Sequence, residues 1–194
     1  MQSIAARTKL DASAVMLTLY AVTMARLGGV DPVATRLVSS NRFRPGLAEI
    51  VGPVSQTALC VMEVAGAPFT DALERVRRSA MLAYKYGYYD RARLEEMIAA
   101  TAPDVDLNAF YNDRRGPVAP EPVEAQEVKA ALARTVFRWT IRRDEVYPRL
   151  FLNVDDEGPD MVRLHIEVDT HHMGPSAAEE LLRSMEALAV SEAS

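Results

Sequence analysis

The chain has 194 residues, with 22 basic against 27 acidic side chains (net charge −5) and 49% hydrophobic residues. That balance excludes bulk intrinsic disorder and argues against a general nucleic-acid binder, which carries a basic patch. The length suits one domain or half of a larger one. The single Cys60 excludes a disulfide framework and fits a reducing, cytoplasmic setting. No signal-peptide arrangement is visible. The longest charge-free run near the N-terminus, residues 12–25, falls short of the ~20 residues that span a bilayer, so no membrane partner is expected.

Asp11 and Ser13 introduce the first element, where Val15, Leu19, Val22 and Arg26 recur at helical spacing until Gly28 and Gly29 stop it. Asp31 and Pro32 make a turn, after which residues 33–40 read as a strand. A polar loop over 41–46 is punctuated by Pro45 and Gly46, and a second strand runs over 54–64. Neither strand has a strictly apolar face, so burial on both faces is expected. Pro68 suits a helix start, and Phe69, Leu73, Val76, Ala80 and Ala83 follow at spacings of three and four. A tyrosine-rich stretch, residues 84–89, ends that helix, and a short one follows over 91–100. Residues 107–112 suit a brief strand.

Residues 116–122 hold three prolines and read as a linker. Beyond it the alternation is clean. Phe137, Trp139 and Ile141 alternate with Arg138, Thr140 and Arg142; Leu150, Leu152 and Val154 form a second set; Val162, Leu164, Ile166 and Val168 form a third. Three half-exposed antiparallel strands are expected, with Trp139 on the buried face and residues 155–160 as the last hairpin loop. A final helix after Pro175 aligns Leu181, Leu182, Met185 and Leu188. The chain shows no internal repeat, and its order of elements indicates mixed α/β layering.

Chemistry is sparse. All three histidines fall within 165–172, and the adjacent His171 and His172 suit a polar strand end better than a metal site or a general base. Cys60, flanked by Leu59 and Val61, reads as a buried thiol. The sequence contains no nucleophile elbow, no phosphate-binding loop and no dinucleotide fingerprint. The tyrosine cluster suits a packed helix end more than a pocket lining. Arg42 and Arg44 suit a solvated loop more than a phosphate site.

The segment from Ser39 to Thr57 carries more. An Asn41-Arg42 loop leads to Val51, Gly52 and Thr57, then an apolar strand, then an amphipathic helix opened by Pro68 and Phe69. In that order the chain, from about Ile4 to Ala189, resembles the C-terminal half of the condensation domains of nonribosomal peptide synthetases. Those domains carry an Asn-Arg or Gly-Arg loop, a motif of the form Ile/Val-Gly-x-x-x-Asn-Thr, and a helix of the form Pro-Phe-x-x-x-Leu-x-x-Val-Arg. Gln56 stands where the family has Asn, Val61 where it often has Arg, and the tyrosine-rich stretch replaces its next motif.

The resemblance implies an α/β, chloramphenicol acetyltransferase-like lobe, with a mixed, mostly antiparallel sheet packed with helices. Residues 1–194 would form that single lobe, and a crossing segment would begin near 116–122. It implies amide-bond formation between a carrier-bound acyl or peptidyl thioester and a carrier-bound amine, in secondary-metabolite and antibiotic biosynthesis. The family's catalytic His-His-x-x-x-Asp-Gly motif belongs to the other lobe. His171-His172 does not replace it, because Ser176 and Ala177 occupy its Asp and Gly positions. No catalytic residue is therefore expected here, nor a metal, and this half alone is expected to be inactive. Asn41, Arg42, Gln56 and Thr57 are the expected substrate-facing wall, their amides suited to a pantetheine or acyl carbonyl. No cofactor is expected to be bound; the phosphopantetheine arm would arrive on peptidyl or acyl carrier proteins. Further partners would be the N-terminal lobe or a second copy. A carrier- or coenzyme A-dependent O-acyltransferase and a noncatalytic carrier-docking or scaffolding domain are the alternatives.

Overall fold

The charge-free run near the N-terminus is the centre of the fold. In this computed structural model, which describes residues 1–102, 107–116, 122–144, 148–158 and 161–193, it becomes α2 (Ala12–Gly28) after a short α1 (Gln2–Thr8). Asp11 caps α2 by accepting from the Ala14 amide at 2.7 Å, and Gly29 ends it in the left-handed conformation. Every residue from Ala14 to Thr23 is buried, because α2 is enclosed by other elements rather than lying on the surface. No single described helix is long and apolar enough to cross a membrane.

The strands are β1 (Val33–Ser39), β2 (Gln56–Met62), β3 (Ala109–Asp113), β4 (Leu150–Asp156) and β5 (Val162–Val168). They form one sheet in the order β2-β1-β3-β4-β5. The antiparallel pairs β1/β2 and β4/β5 register over the full length of each strand. The parallel pairs are shorter: β3 meets β1 only around Leu37–Tyr111, and β4 from Leu150 to Val154. Helices α3 (Phe69–Tyr86) and α6 (Pro175–Ala193) pack beside α2 over one face. That face holds Leu37, Cys60, Met62, Tyr111, Leu152 and Val154, against Leu73 and Val76 of α3 and Leu181 and Met185 of α6. At the end of α3, a Cβ added to Gly87 would lie 2.8 Å from the Ala58 Cβ, so only glycine permits this approach to β2.

Two expectations are overturned. β1 alternates strictly between buried and half-buried residues, so it is covered on one face rather than two. Residues 135–144 form no strand, and Trp139 is 50% exposed. Both sides of β4 are occupied, by β3 and β5, which leaves the Phe137–Ile141 segment no place beside it. It runs instead along α6: Thr135 donates to Glu186, the Phe137 ring meets Trp139 edge-on at 5.4 Å, and Arg183 lies over Phe137. α4 (Arg91–Thr101) lies where expected, whereas α1 and α5 (Ala125–Ala131) are additional. Of the Pro-rich stretch, residues 117–121 lie outside the described residues.

Candidate functional site

The segment that carries the sequence resemblance folds into a tightly bonded junction where β1 ends and β2 begins. Gln56 and Thr57 open β2 opposite Ser39 and Val38. Asn41, just past β1, is fully buried and takes the left-handed conformation (φ 55°), which asparagine tolerates better than most residues. Its Nδ2 donates to the Val54 carbonyl at 3.1 Å, and the Gln56 Oε1 lies 3.5 Å away. Its Oδ1 accepts from the Ser39 hydroxyl at 3.2 Å and from Arg44 Nε at 3.4 Å. The structure thus brings Asn41 and Gln56 together.

Arg42 lies exposed on a solvated loop, as expected, and Arg44 is half-buried, yet both also clamp backbone carbonyls. The Arg42 guanidinium donates to the carbonyls of Ala48, Ile50 and Gly52 at 3.3, 2.8 and 3.3 Å, closing its own loop. Arg44 donates to the carbonyls of Tyr84 and Lys85 at 3.2 and 3.0 Å. That places a cation on the C-terminal carbonyls of α3, where the helix dipole favours it. The same guanidinium lies over the rings of Phe43 and Tyr88, 5.4 and 5.3 Å from their centroids.

The tyrosine-rich stretch completes the junction. The Gln56 amide donates to the Tyr89 carbonyl at 2.9 Å, and the Tyr89 hydroxyl donates to the Thr57 carbonyl. Tyr84 is partly buried against the core, and burial pushes its phenol up to about 12. The stretch is only partly packed: Tyr84 and Tyr89 are half-buried, Tyr86 and Tyr88 are exposed, and Tyr86 and Tyr89 line a groove beside β2. Arg44, Tyr88 and Tyr89 join the site alongside the four residues expected from sequence. Their signal was the aromatic cluster itself, whose partners lie too far along the chain for spacing to reveal. The surface left to solvent is mixed: the apolar Phe43, Ile50 and Val51 are exposed, Val51 completely, beside the exposed Ser40, Arg42, Glu49 and Ser55.

The other candidates stay apart. Cys60 is buried, and burial raises its thiol to about 12, so it offers no thiolate at neutral pH. His171 Nδ1 lies 3.0 Å from Asp169 Oδ1 on an exposed turn, where the same carboxylate accepts from the His171 amide at 2.9 Å. Those two bonds to His171 hold the Asp169 carboxyl below its ordinary value. Among the described residues no group of His, Cys, Asp and Glu could hold a metal ion.

Neither a protein-family model nor a curated protein matches the sequence. Solved structures do match its fold. The first condensation domain of the CDA synthetase superposes with a TM-score of 0.66 at 14% identity, over 98% of this chain and 41% of that one. A condensation domain mediating chain release from the enacyloxin polyketide synthase gives 0.62 at 19%, over 96% and 36%. The PapA2 acyl transferase gives 0.66 at 13%, over 99% and 41%. The chain spans about two fifths of the length of these relatives. It has the mixed α/β fold of a chloramphenicol acetyltransferase-like lobe, as condensation domains do.

Proposed function

We propose that this chain is the C-terminal half of a condensation domain and forms one wall of the tunnel in which carrier-bound substrates meet. The observation that supports this best is the agreement of nearly the whole chain with about two fifths of a condensation domain. The Asn41–Thr57 motifs at the β1–β2 junction suggest which half. In the reaction, an amine nitrogen attacks the thioester carbonyl, an amide bond forms, and the C–S bond breaks. The thiol leaves on the donor's phosphopantetheine arm, and the amine proton passes to a base of the other lobe.

In this reading Asn41, Arg42 and Gln56 hold the wall in shape through their bonds to backbone carbonyls, and Thr57 opens the strand that carries it. The thiol that the chain does possess, Cys60, is buried and protonated, in keeping with a lobe that supplies shape rather than a nucleophile. The fold shared with the PapA2 acyl transferase supports a second reading, transfer to an alcohol with ester formation.

The test combines the chain with a matched N-terminal lobe bearing His-His-x-x-x-Asp-Gly. A carrier-bound acyl thioester is then offered with a carrier-bound amine or an alcohol. Amide formation that requires both lobes is the expected result, and ester formation alone selects the second reading. Turnover by this chain by itself, abolished by changing His171, would overturn both.

A further inference from the structure

The outer side of α3 carries a groove of about 530 Å³, and its lining is unlike the rest of this acidic chain. Its apolar floor is Met81, Leu82 and Leu10, with Met81 and Leu82 more than half exposed. Its rim is cationic: Arg77, Arg78 and Lys85 stand against Glu74 alone. The helix dipole accounts for Lys85 in the last turn but not for two adjacent arginines in mid-helix. Among the described residues Arg77 and Arg78 have no ion-pair partner, although Glu74 stands four residues before Arg78.

The groove is also tied to the candidate site. Lys85, at its C-terminal end, offers its carbonyl to Arg44, which belongs to the loop between β1 and β2. A partner seated on α3 would rest one residue contact away from the Asn41–Gln56 junction.

We infer that this face of α3 docks an acidic protein partner, whose carboxylates meet Arg77, Arg78 and Lys85 while an apolar side chain enters between Met81 and Leu82. Resting on the reading under Proposed function, that partner is an acidic carrier protein, and the groove is where it docks. Positive charge concentrated on one face of a negative molecule steers an acidic partner to that face and keeps like-charged copies from competing for it.

The experiment measures binding of the full chain to a purified acidic acyl carrier protein in its apo form. Coenzyme A alone and the chain with itself are the comparison arms. Reversing charge at Arg77→Glu with Arg78→Glu should weaken carrier binding by about tenfold or more, as should raising salt from ~0.05 to ~0.5 M. The same change of charge at Arg138→Glu with Arg142→Glu should leave it within about twofold, since those arginines lie on the segment beside α6. Circular dichroism and melting confirm that both variants fold.

Carrier binding that survives the reversal overturns this docking surface and leaves the carrier-dependent function standing. No carrier binding by the unaltered chain removes both. Reversal-sensitive binding of coenzyme A alone, or reversal-sensitive self-association without carrier binding, replaces the inference with a small-anion site or a self-contact.

Discussion

Asn41 is the residue on which the junction should depend most, and its replacement can be worked through. In Asn41→Ala the Val54 carbonyl, the Ser39 hydroxyl and Arg44 Nε each lose a partner, at 3.1, 3.2 and 3.4 Å. A buried hydrogen bond contributes about 1 kcal/mol net. Arg44 keeps its two carbonyls on α3, so its share is the smallest of the three. Alanine must also hold φ near 55°, which costs a further ~1 kcal/mol relative to residues at ease there. The sum is about 3 kcal/mol, or roughly 10 °C in melting temperature for a chain of this size. Asn41→Gly removes the same bonds but relieves the backbone, so it should recover about 1 kcal/mol of that loss. Urea denaturation followed by circular dichroism reads both values. If alanine and glycine were equally tolerated, within about 0.5 kcal/mol of the native chain, the bonded junction would be decorative and the reasoning refuted.

The Arg36–Glu95 pair predicts a pH dependence. Arg36 donates to both Glu95 oxygens, and that hydrogen bond holds the carboxyl below its ordinary value of 4.5. The folded form therefore gives up its proton more readily than the unfolded one. The pair's contribution is present above about pH 4.5 and lost as acid is added below it; with Glu95 nearly half exposed, Arg36→Met should flatten that acid limb by less than about 1 kcal/mol. Cys60 should resist a disulfide reagent at pH 8 in the native state and react fully in denaturant; rapid native labelling would contradict its burial. Trp139 is the only tryptophan, so iodide should quench native fluorescence readily; a protected, blue-shifted emission would return it to the buried strand face.

The elements that could be read directly from the sequence are those whose pattern is answered locally. α3 shows its core face because Leu73, Val76, Ala80 and Ala83 meet neighbours along a single stripe, and α2 shows its ends because Asp11 and Gly29 act within one turn. The failures come from partners that spacing does not encode. The alternation of Phe137, Trp139 and Ile141 is as regular as that of β5, yet a strand also needs a backbone partner. This segment lies along α6 through Thr135 and Phe137 instead of joining the edge strands β2 or β5. The parallel insertion of β3 between β1 and β4 rests on pairings more than thirty residues apart. Short helices such as α1 lack a side-chain cap to announce them, although Ile4 and Ala5 are completely buried. At the junction, the motif located the residues correctly, while their partners (Tyr89 for Gln56, the carbonyls of Tyr84 and Lys85 for Arg44) emerge only from the fold.

The way those partners are used bears on what such a lobe can contribute. Arg42 and Arg44 donate chiefly to backbone carbonyls, and so do the Asn41 and Gln56 amides and the Tyr89 hydroxyl. Donors committed in this way are poorly placed to transfer a proton or to trap an oxyanion, but they fix a loop of irregular backbone. What they hold outward includes three large apolar side chains, Phe43, Ile50 and Val51, interspersed with the exposed Arg42 and Glu49. In the proposed function, catalysis by orientation would use such a part as a rigid surface that sets where an acyl chain lies, with the base supplied by the other half. A lobe built this way gains nothing from a histidine of its own, since a second base on the wall would have to be desolvated with no proton to take. In the proposed function, the bonded junction and the absence of the His-His-x-x-x-Asp-Gly motif from this sequence would both follow from one division of labour between two halves of a site.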